Sequence, residues 1–217
     1  MRRIICLALM SLILLGVARA EGDLSGLTLS ELYDLRRSVD RRIEELENAG
    51  VKPHYKSGTY RVGVDMPEGV YVLQDDGAAL FPSVLVRADG EDGGEVLNYE
   101  LVIPTAVMRF MSGSFVTLSD VTAYPFELAP EVGLDEDGAA FEGGYWVGPQ
   151  IPAGYYRVVP NEKAPLSSYS VYDDVPGAGA HLLKFEVVDE PIELALDRGQ
   201  YVNMSGCGIQ WIQADAP

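Results

Sequence analysis

Cysteine, histidine and basic side chains are scarce in this chain of 217 residues, which holds 2 Cys, 2 His and 16 Lys plus Arg against 33 Asp plus Glu. Cys6 lies in the first twenty residues, so Cys207 is the one thiol of the folded part. No internal disulfide can form there, and the fold must be held by a hydrophobic core. His54 and His181 stand apart, and the chain has no C-x-x-C, H-E-x-x-H or G-x-S-x-G sequence to suggest a structural zinc, a zinc hydrolase or a serine hydrolase. A formal charge of −17 argues against nucleic acid as a partner, because phosphate binding depends on neutralisation by Lys and Arg. Beyond residue 20 no apolar run is long enough to span a bilayer. We expect no cofactor and no metal; the acidic turns Asp89–Glu95 and Asp135–Gly138 offer oxygen ligands but fit no twelve-residue, helix-flanked calcium loop.

The one long apolar run is at the start. Arg2 and Arg3 precede an apolar stretch from Ile4 to Val17, and Ala18-Arg19-Ala20 gives an A-x-A site before Glu21. Residues 1–20 therefore read as a cleavable signal peptide, which makes the protein secreted or periplasmic. Losing Arg2, Arg3 and Arg19 leaves 13 basic against 33 acidic residues, a charge of −20 for the mature chain.

Residues 27–50 carry the helix signals. Thr28-Leu29-Ser30-Glu31 fits a capping box, Leu32, Leu35, Val39, Ile43 and Leu46 recur at spacings of three and four, and Gly50 supplies a stop. Two readings of the apolar stripe stand open: a short coiled coil making a homo-oligomer through residues 28–49, or a helix packed on its own β domain. Arg42 interrupts the heptad seam.

From Gly58 onward the sequence reads as β structure, twice. Gly58–Tyr71 aligns with Gly143–Tyr156 at an offset of 85, with seven of fourteen positions identical. At an offset of 86, Leu97–Val102 aligns with Leu183–Val188, and Gly113–Ser119 with Gly199–Ser205. The chain is thus mainly β, two tandem antiparallel β-sandwich modules produced by internal duplication and preceded by one amphipathic helix. The boundaries are 56–128 and 143–213, with an acidic linker at 129–142.

The two copies act as an internal alignment. Period two places Tyr60/Tyr145, Val62/Val147, Tyr71/Tyr156 and Leu73/Val158 inward, and Arg61/Trp146, Val70/Tyr155 and Val72/Arg157 outward. Leu97/Leu183, Tyr99/Phe185 and Leu101/Val187 form a further expected inward set, with Asn98/Lys184 and Glu100/Glu186 outward. Val121 is the sister of Cys207, which marks the thiol as a small buried hydrophobe rather than a nucleophile paired with His181. Gly63–Gly69 and Gly148–Gly154, each with a proline and a following glycine, predict a hairpin turn in each copy.

These segments carry a resemblance. Tyr60-Arg61-Val62-Gly63-Val64-Asp65-Met66-Pro67-Glu68-Gly69-Val70-Tyr71 resembles the Y-x-V-G-x-D-I-P-A-G-x-Y repeat of a group of uncharacterised secreted bacterial proteins, and the second copy keeps Ile151-Pro152-Ala153-Gly154 with Gln150 in the Asp position. Ser30–Leu35 resembles, more loosely, the S-x-x-E-L-x-x-L helix that often precedes those repeats. The resemblance implies a secreted β-rich protein and brings no catalytic or cofactor residue with it.

On a single hairpin, Trp146, Tyr155 and Arg157 would point the same way and form an exposed aromatic ligand-binding cluster. The competing reading packs that face on the other repeat or under the helix. The expected function is non-catalytic binding of a glycan or envelope protein, or a structural role in the envelope. A hydrolase using paired carboxylates, or a helix-mediated oligomeric scaffold, are the alternatives.

Overall fold

Thr28 and Glu31 close their capping box in both directions. The Thr28 amide donates to Glu31 Oε2 at 2.8 Å, the Thr28 hydroxyl donates to the same oxygen at 2.7 Å, and the Glu31 amide donates back to Thr28 Oγ1 at 3.4 Å. These bonds favour the carboxylate and hold the Glu31 pKa below its ordinary value. The helix that follows, α1, runs Leu29–Asn48. Arg36–Asp40, Arg37–Asp34 and Arg42–Glu45 pair along its surface. Such exposed pairs contribute little each. Leu35, Val39 and Ile43 of the stripe are 44%, 48% and 47% exposed.

The computed structural model describes residues 24–48, 53–77, 80–90, 94–177 and 179–212. The expected signal at 1–20, the helix stop at Gly50 and part of the Asp89–Glu95 turn lie outside them. The chain divides after Asn48 into two units. No described helix is long and apolar enough to cross a membrane.

The described residues of the second unit form fifteen strands: β1 (Gly58–Arg61), β2 (Gly69–Asp75), β3 (Ser83–Arg87), β4 (Val96–Leu101), β5 (Thr105–Phe110), β6 (Phe115–Ser119), β7 (Val121–Pro125), β8 (Ala139–Ala140), β9 (Gly143–Trp146), β10 (Gly154–Pro160), β11 (Ser168–Tyr172), β12 (Leu182–Val187), β13 (Ile192–Leu196), β14 (Tyr201–Ser205) and β15 (Cys207–Trp211). They form four antiparallel sheets. The orders β1-β6-β3-β4 and β5-β2-β7 recur as β9-β14-β11-β12 and β13-β10-β15, with β8 added beside β15. One topology is therefore built twice, each time as two sheets facing across a core. Tyr71, Leu73, Val84, Met108, Phe110 and Val116 fill the first core; Tyr156, Val158, Tyr169, Leu196, Val202 and Ile209 fill the second. Burial of each such side chain is worth about 2 kcal/mol, enough to replace a disulfide framework.

The shared Gly-Pro-Gly segment is not a hairpin. β1 pairs with β6 while β2 pairs with β5 and β7, and β9 and β10 are likewise divided between two sheets. The segment is a corner that carries the chain from one sheet to the other. Val62 and Met66, and their sisters Val147 and Ile151, bridge each other and plug the end of each core at 2% exposure or less. Gly63 and Gly148 turn the chain at φ +88° and +104°, a region that penalises any side chain. Asp65 Oδ2 accepts the Arg61 amide at 2.8 Å, and Gln150 Oε1 accepts the Trp146 amide at 2.7 Å, so Gln150 does the same work in the Asp position. The closing tyrosines also act alike: Tyr71 donates to the Pro67 carbonyl at 2.7 Å and Tyr156 to the Pro152 carbonyl at 2.6 Å. The repeated motif is thus a structural device for turning a corner.

Two face assignments are reversed. In β4 and β12 the apolar row faces solvent: Leu97, Tyr99 and Leu101 are 53%, 54% and 40% exposed, and Leu183, Phe185 and Val187 are 54%, 58% and 45%. The register places Glu100 opposite Val84 and Asn98 opposite Val86, and in the second module Glu186 opposite Tyr169 and Lys184 opposite Val171, so the polar residues share the core side of these sheets. Period two says which residues share a face and is silent on which face is buried. Val72, expected outward, is buried for another reason: the other module covers it.

The expected linker, 129–142, is built into the fold. Ala139 and Ala140 pair with Gln210 and Ile209, Val132 and Leu134 pack on the second core, and Asp135 Oδ1 accepts the amides of Asp137 and Ala139 at 3.0 and 2.8 Å.

Candidate functional site at the module boundary

The positions at which the two copies disagree build the boundary between them. Val72 and Val107, directly opposite in register, join Tyr201 and Val175 in a third buried cluster, with Trp146, Tyr172 and Phe126 packed against it. Trp146, Tyr201 and Tyr172 form one row across β9, β14 and β11. The sister of that row in the first module is Arg61, Phe115 and Arg87; the sisters of Val72 and Val107 are Arg157 and Glu193. The face is wholly apolar only in the copy that uses it: the other copy carries Arg61 and Arg87 beside Phe115, and Arg157 opposite Glu193.

Polar contacts fix the docking. Arg109 Nη2 lies 3.0 Å from both oxygens of Asp174, and the Arg109 amide donates to the Pro176 carbonyl at 2.7 Å. The Tyr201 hydroxyl accepts the Val107 amide at 3.5 Å, and complete burial raises its pKa well above the ordinary value. Gly144 leaves the space for that hydroxyl, since a Cβ there would overlap it.

Of the three residues expected to form a ligand site, Trp146 is half-buried and meets Phe126 edge-on at 5.2 Å, with its Nε1 buried and without an acceptor among the described residues. Tyr155, 60% exposed, and Arg157 lie on the other sheet. The aromatic cluster of Trp146, Tyr155 and Arg157 therefore does not form, because the hairpin that would have aligned it is a corner between sheets.

A different cleft opens beside the boundary. Tyr99, Glu100, Leu101 and Ile103 of the first module face Glu142 and Asn203 of the second across a groove of about 350 Å³. Glu100 accepts from Asn203 Nδ2 at 2.7 Å, and burial pushes its carboxyl pKa from 4.5 up to about 7. Glu142 accepts the Gly206 amide at 2.8 Å. The groove thus holds one carboxyl that is half-protonated near neutrality and one anchored by a backbone amide, between apolar walls. Asn203 continues outward in a cross-strand row through Ser170 to Phe185. The sequence carries the signal for this surface, since Tyr99 and Phe185 occupy equivalent positions, but alternation does not say which face is buried.

The remaining chemistry is scattered. His181 Nδ1 lies 3.0 Å from Asp173 Oδ2 at the surface, and its hydrogen bonds hold the Asp173 pKa low. His54 packs by Tyr124 at 5.8 Å. Among the described residues no three His, Cys, Asp or Glu side chains converge as metal ligands. A larger cleft of about 500 Å³ follows β8 and β15, with Phe141 and Val159 as exposed apolar lining and Cys207 at its floor. Cys207 is 3% exposed, its Sγ donates to the Ser168 carbonyl at 3.2 Å, and burial pushes its pKa up to about 11. A thiol so held carries almost no thiolate at pH 8. We expect an aromatic disulfide reagent to label it only after denaturation, and Cys207→Val, which installs the residue of the sister copy, to change stability by less than about 1 kcal/mol in urea unfolding.

No model of a protein family matches this sequence and no curated protein matches it, so the site is defined by its geometry alone.

Proposed function

We propose that the mature chain is an exported, non-catalytic binding protein whose working surface runs along the module boundary, from Tyr99, Glu100 and Leu101 across Asn203 to Phe185 and Val187. One observation carries the reading: both edge strands turn an apolar row to solvent at equivalent positions, although each module has a core that could have taken it. Large apolar side chains held in solvent at equivalent positions of both edge strands favour an interaction site. The signal-like residues 1–20 support a partner outside the cytoplasm, a glycan or a protein of the envelope. The tandem corner motif, with its resemblance to repeats of secreted bacterial proteins, supports a scaffold that presents a surface. Tyr99→Ala combined with Phe185→Ala is expected to leave stability within about 0.5 kcal/mol and to abolish retention of the secreted protein on isolated cell envelopes. Undiminished retention overturns the proposal. Turnover of a glycoside, ester or peptide that is lost on substituting Glu100 or Glu142 would establish the hydrolase reading instead.

A second reading is supported by the helix. Leu35, Val39 and Ile43, spaced by four, form a half-exposed stripe that a second copy of α1 would cover. Removing residues up to Asn48 is expected to convert an oligomer into a monomer by light scattering, with the melting of the β unit unchanged.

A further inference from the structure

We infer that the boundary groove takes an uncharged oligosaccharide, laid across the row from Tyr99 past Asn203 and Ser170 to Phe185; this rests on the binding reading above and names its ligand class. Three features point the same way. The first is the pair of exposed rings. Tyr99 and Phe185 are 54% and 58% exposed and stand at opposite ends of the surface, one on each edge strand. Exposed aromatic faces suit the C–H faces of pyranose rings, and rigid side chains lose little entropy when a ligand stacks on them.

The second feature is the floor between the rings. Asn203 and Ser170 are paired in register, and Ser205 and Ser168 form the next row. These short side chains leave room above the sheet, and their amides and hydroxyls both donate and accept, as a polyol requires. At the spacing of neighbouring strands, Asn203 and Phe185 lie roughly 10 Å apart, the length of about two sugar rings. With the groove at Tyr99 added, the surface suits a chain of three units or more.

The third feature is charge. Glu100 and Glu142 line the groove, and among the described residues no Lys or Arg does. An anionic ligand would meet carboxylates inside the site and the formal −20 of the mature chain outside it. Vicinal hydroxyls of a neutral sugar, in contrast, can donate to a carboxylate in pairs. A peptide strand added to the open edge of β12 is the competing occupant; it would use Leu183 and Phe185 and leave Asn203 and Tyr99 untouched.

The test is titration of the secreted protein with three sets of probes: neutral β-glucan, chitin and mannan oligosaccharides of two to six units, uronic-acid oligomers of the same lengths, and an apolar hexapeptide. We expect at least one neutral series to bind, with affinity rising until about three units, and Tyr99→Ala and Phe185→Ala each to weaken it tenfold or more. Tyr155→Ala, on the far sheet, should leave Kd unchanged. Tyr99→Leu separates stacking from folding: it retains an apolar side chain without a ring and should still weaken binding. Binding of the uronic-acid or peptide probes alone overturns the inference, as does neutral-sugar binding indifferent to both rings. If the double alanine variant loses envelope retention while no neutral oligosaccharide binds, the ligand class is wrong and the binding surface stands. If retention is also indifferent, both fail.

Discussion

At pH 8 the Glu100→Gln variant will be about 3 kcal/mol more stable than the wild-type chain, and at pH 4 the two will be close to equal. Burial raises the Glu100 carboxyl from 4.5 to about 7, and its hydrogen bond from Asn203 does not offset the loss of water. A carboxyl with a folded pKa above its unfolded value binds its proton more tightly in the folded state. Between pH 4.5 and 7 the folded chain therefore carries more protons than the unfolded one, and stability falls as pH rises through that window. Above 7 the full cost is present; below 4.5 both states are protonated and it vanishes. The neighbours do not relieve the charge. Tyr172 and Tyr201 have pKa values raised in part by it, and Glu142 shares its groove. Glutamine keeps the acceptor oxygen for Asn203 and removes the ionisation. Because other carboxylates titrate in the same range, the quantity to read is the difference between variant and wild type in urea unfolding at each pH. A difference that stays constant from pH 4 to 8 would show that Glu100 is solvated.

Val72→Arg together with Val107→Glu will separate the modules, turning one calorimetric transition into two and costing about 4 kcal/mol or more. The substitution installs what the second module already has: Arg157 and Glu193 face each other across β10 and β13 as Val72 and Val107 do across β2 and β5. Arg157 and Glu193 are exposed to solvent. At the boundary the same pair would lie against Tyr201, where Val72, Val107 and Tyr201 are 1%, 0% and 0% exposed, and desolvating two ions there costs more than their attraction returns. Each module keeps its own core, so separation rather than unfolding is the expected result. Faster proteolysis within residues 129–142 would accompany it, because Val132 packs on both the second core and the boundary. A single transition at the wild-type temperature would mean that the boundary contributes nothing to stability.

Local rules made much of this protein legible. The capping box at Thr28 and Glu31 depends on four consecutive residues and formed as its chemistry requires. Two similar β modules are legible from spacing alone, and Val121, at the position matching Cys207, marks that thiol as buried, as it is. Gly63 to Gly69 has the composition of a tight turn, and only strand pairing reveals that its flanks enter different sheets. The expected grouping of Trp146, Tyr155 and Arg157 depends on that hairpin, and the strands that carry them lie in different sheets.

The amino-acid sequence by itself determined the helix, the two β modules and the alternation of faces along each strand, because all three arise from contacts between residues close in the chain or from repetition of a unit. Tertiary structure alone decided which face of β4 and β12 meets solvent, which outward residues become the boundary, and that Glu100 meets Asn203 from more than one hundred positions away. Alternation is symmetric with respect to inside and outside. Packing breaks that symmetry, and it does so differently in two nearly equivalent copies because each meets the other on a different side.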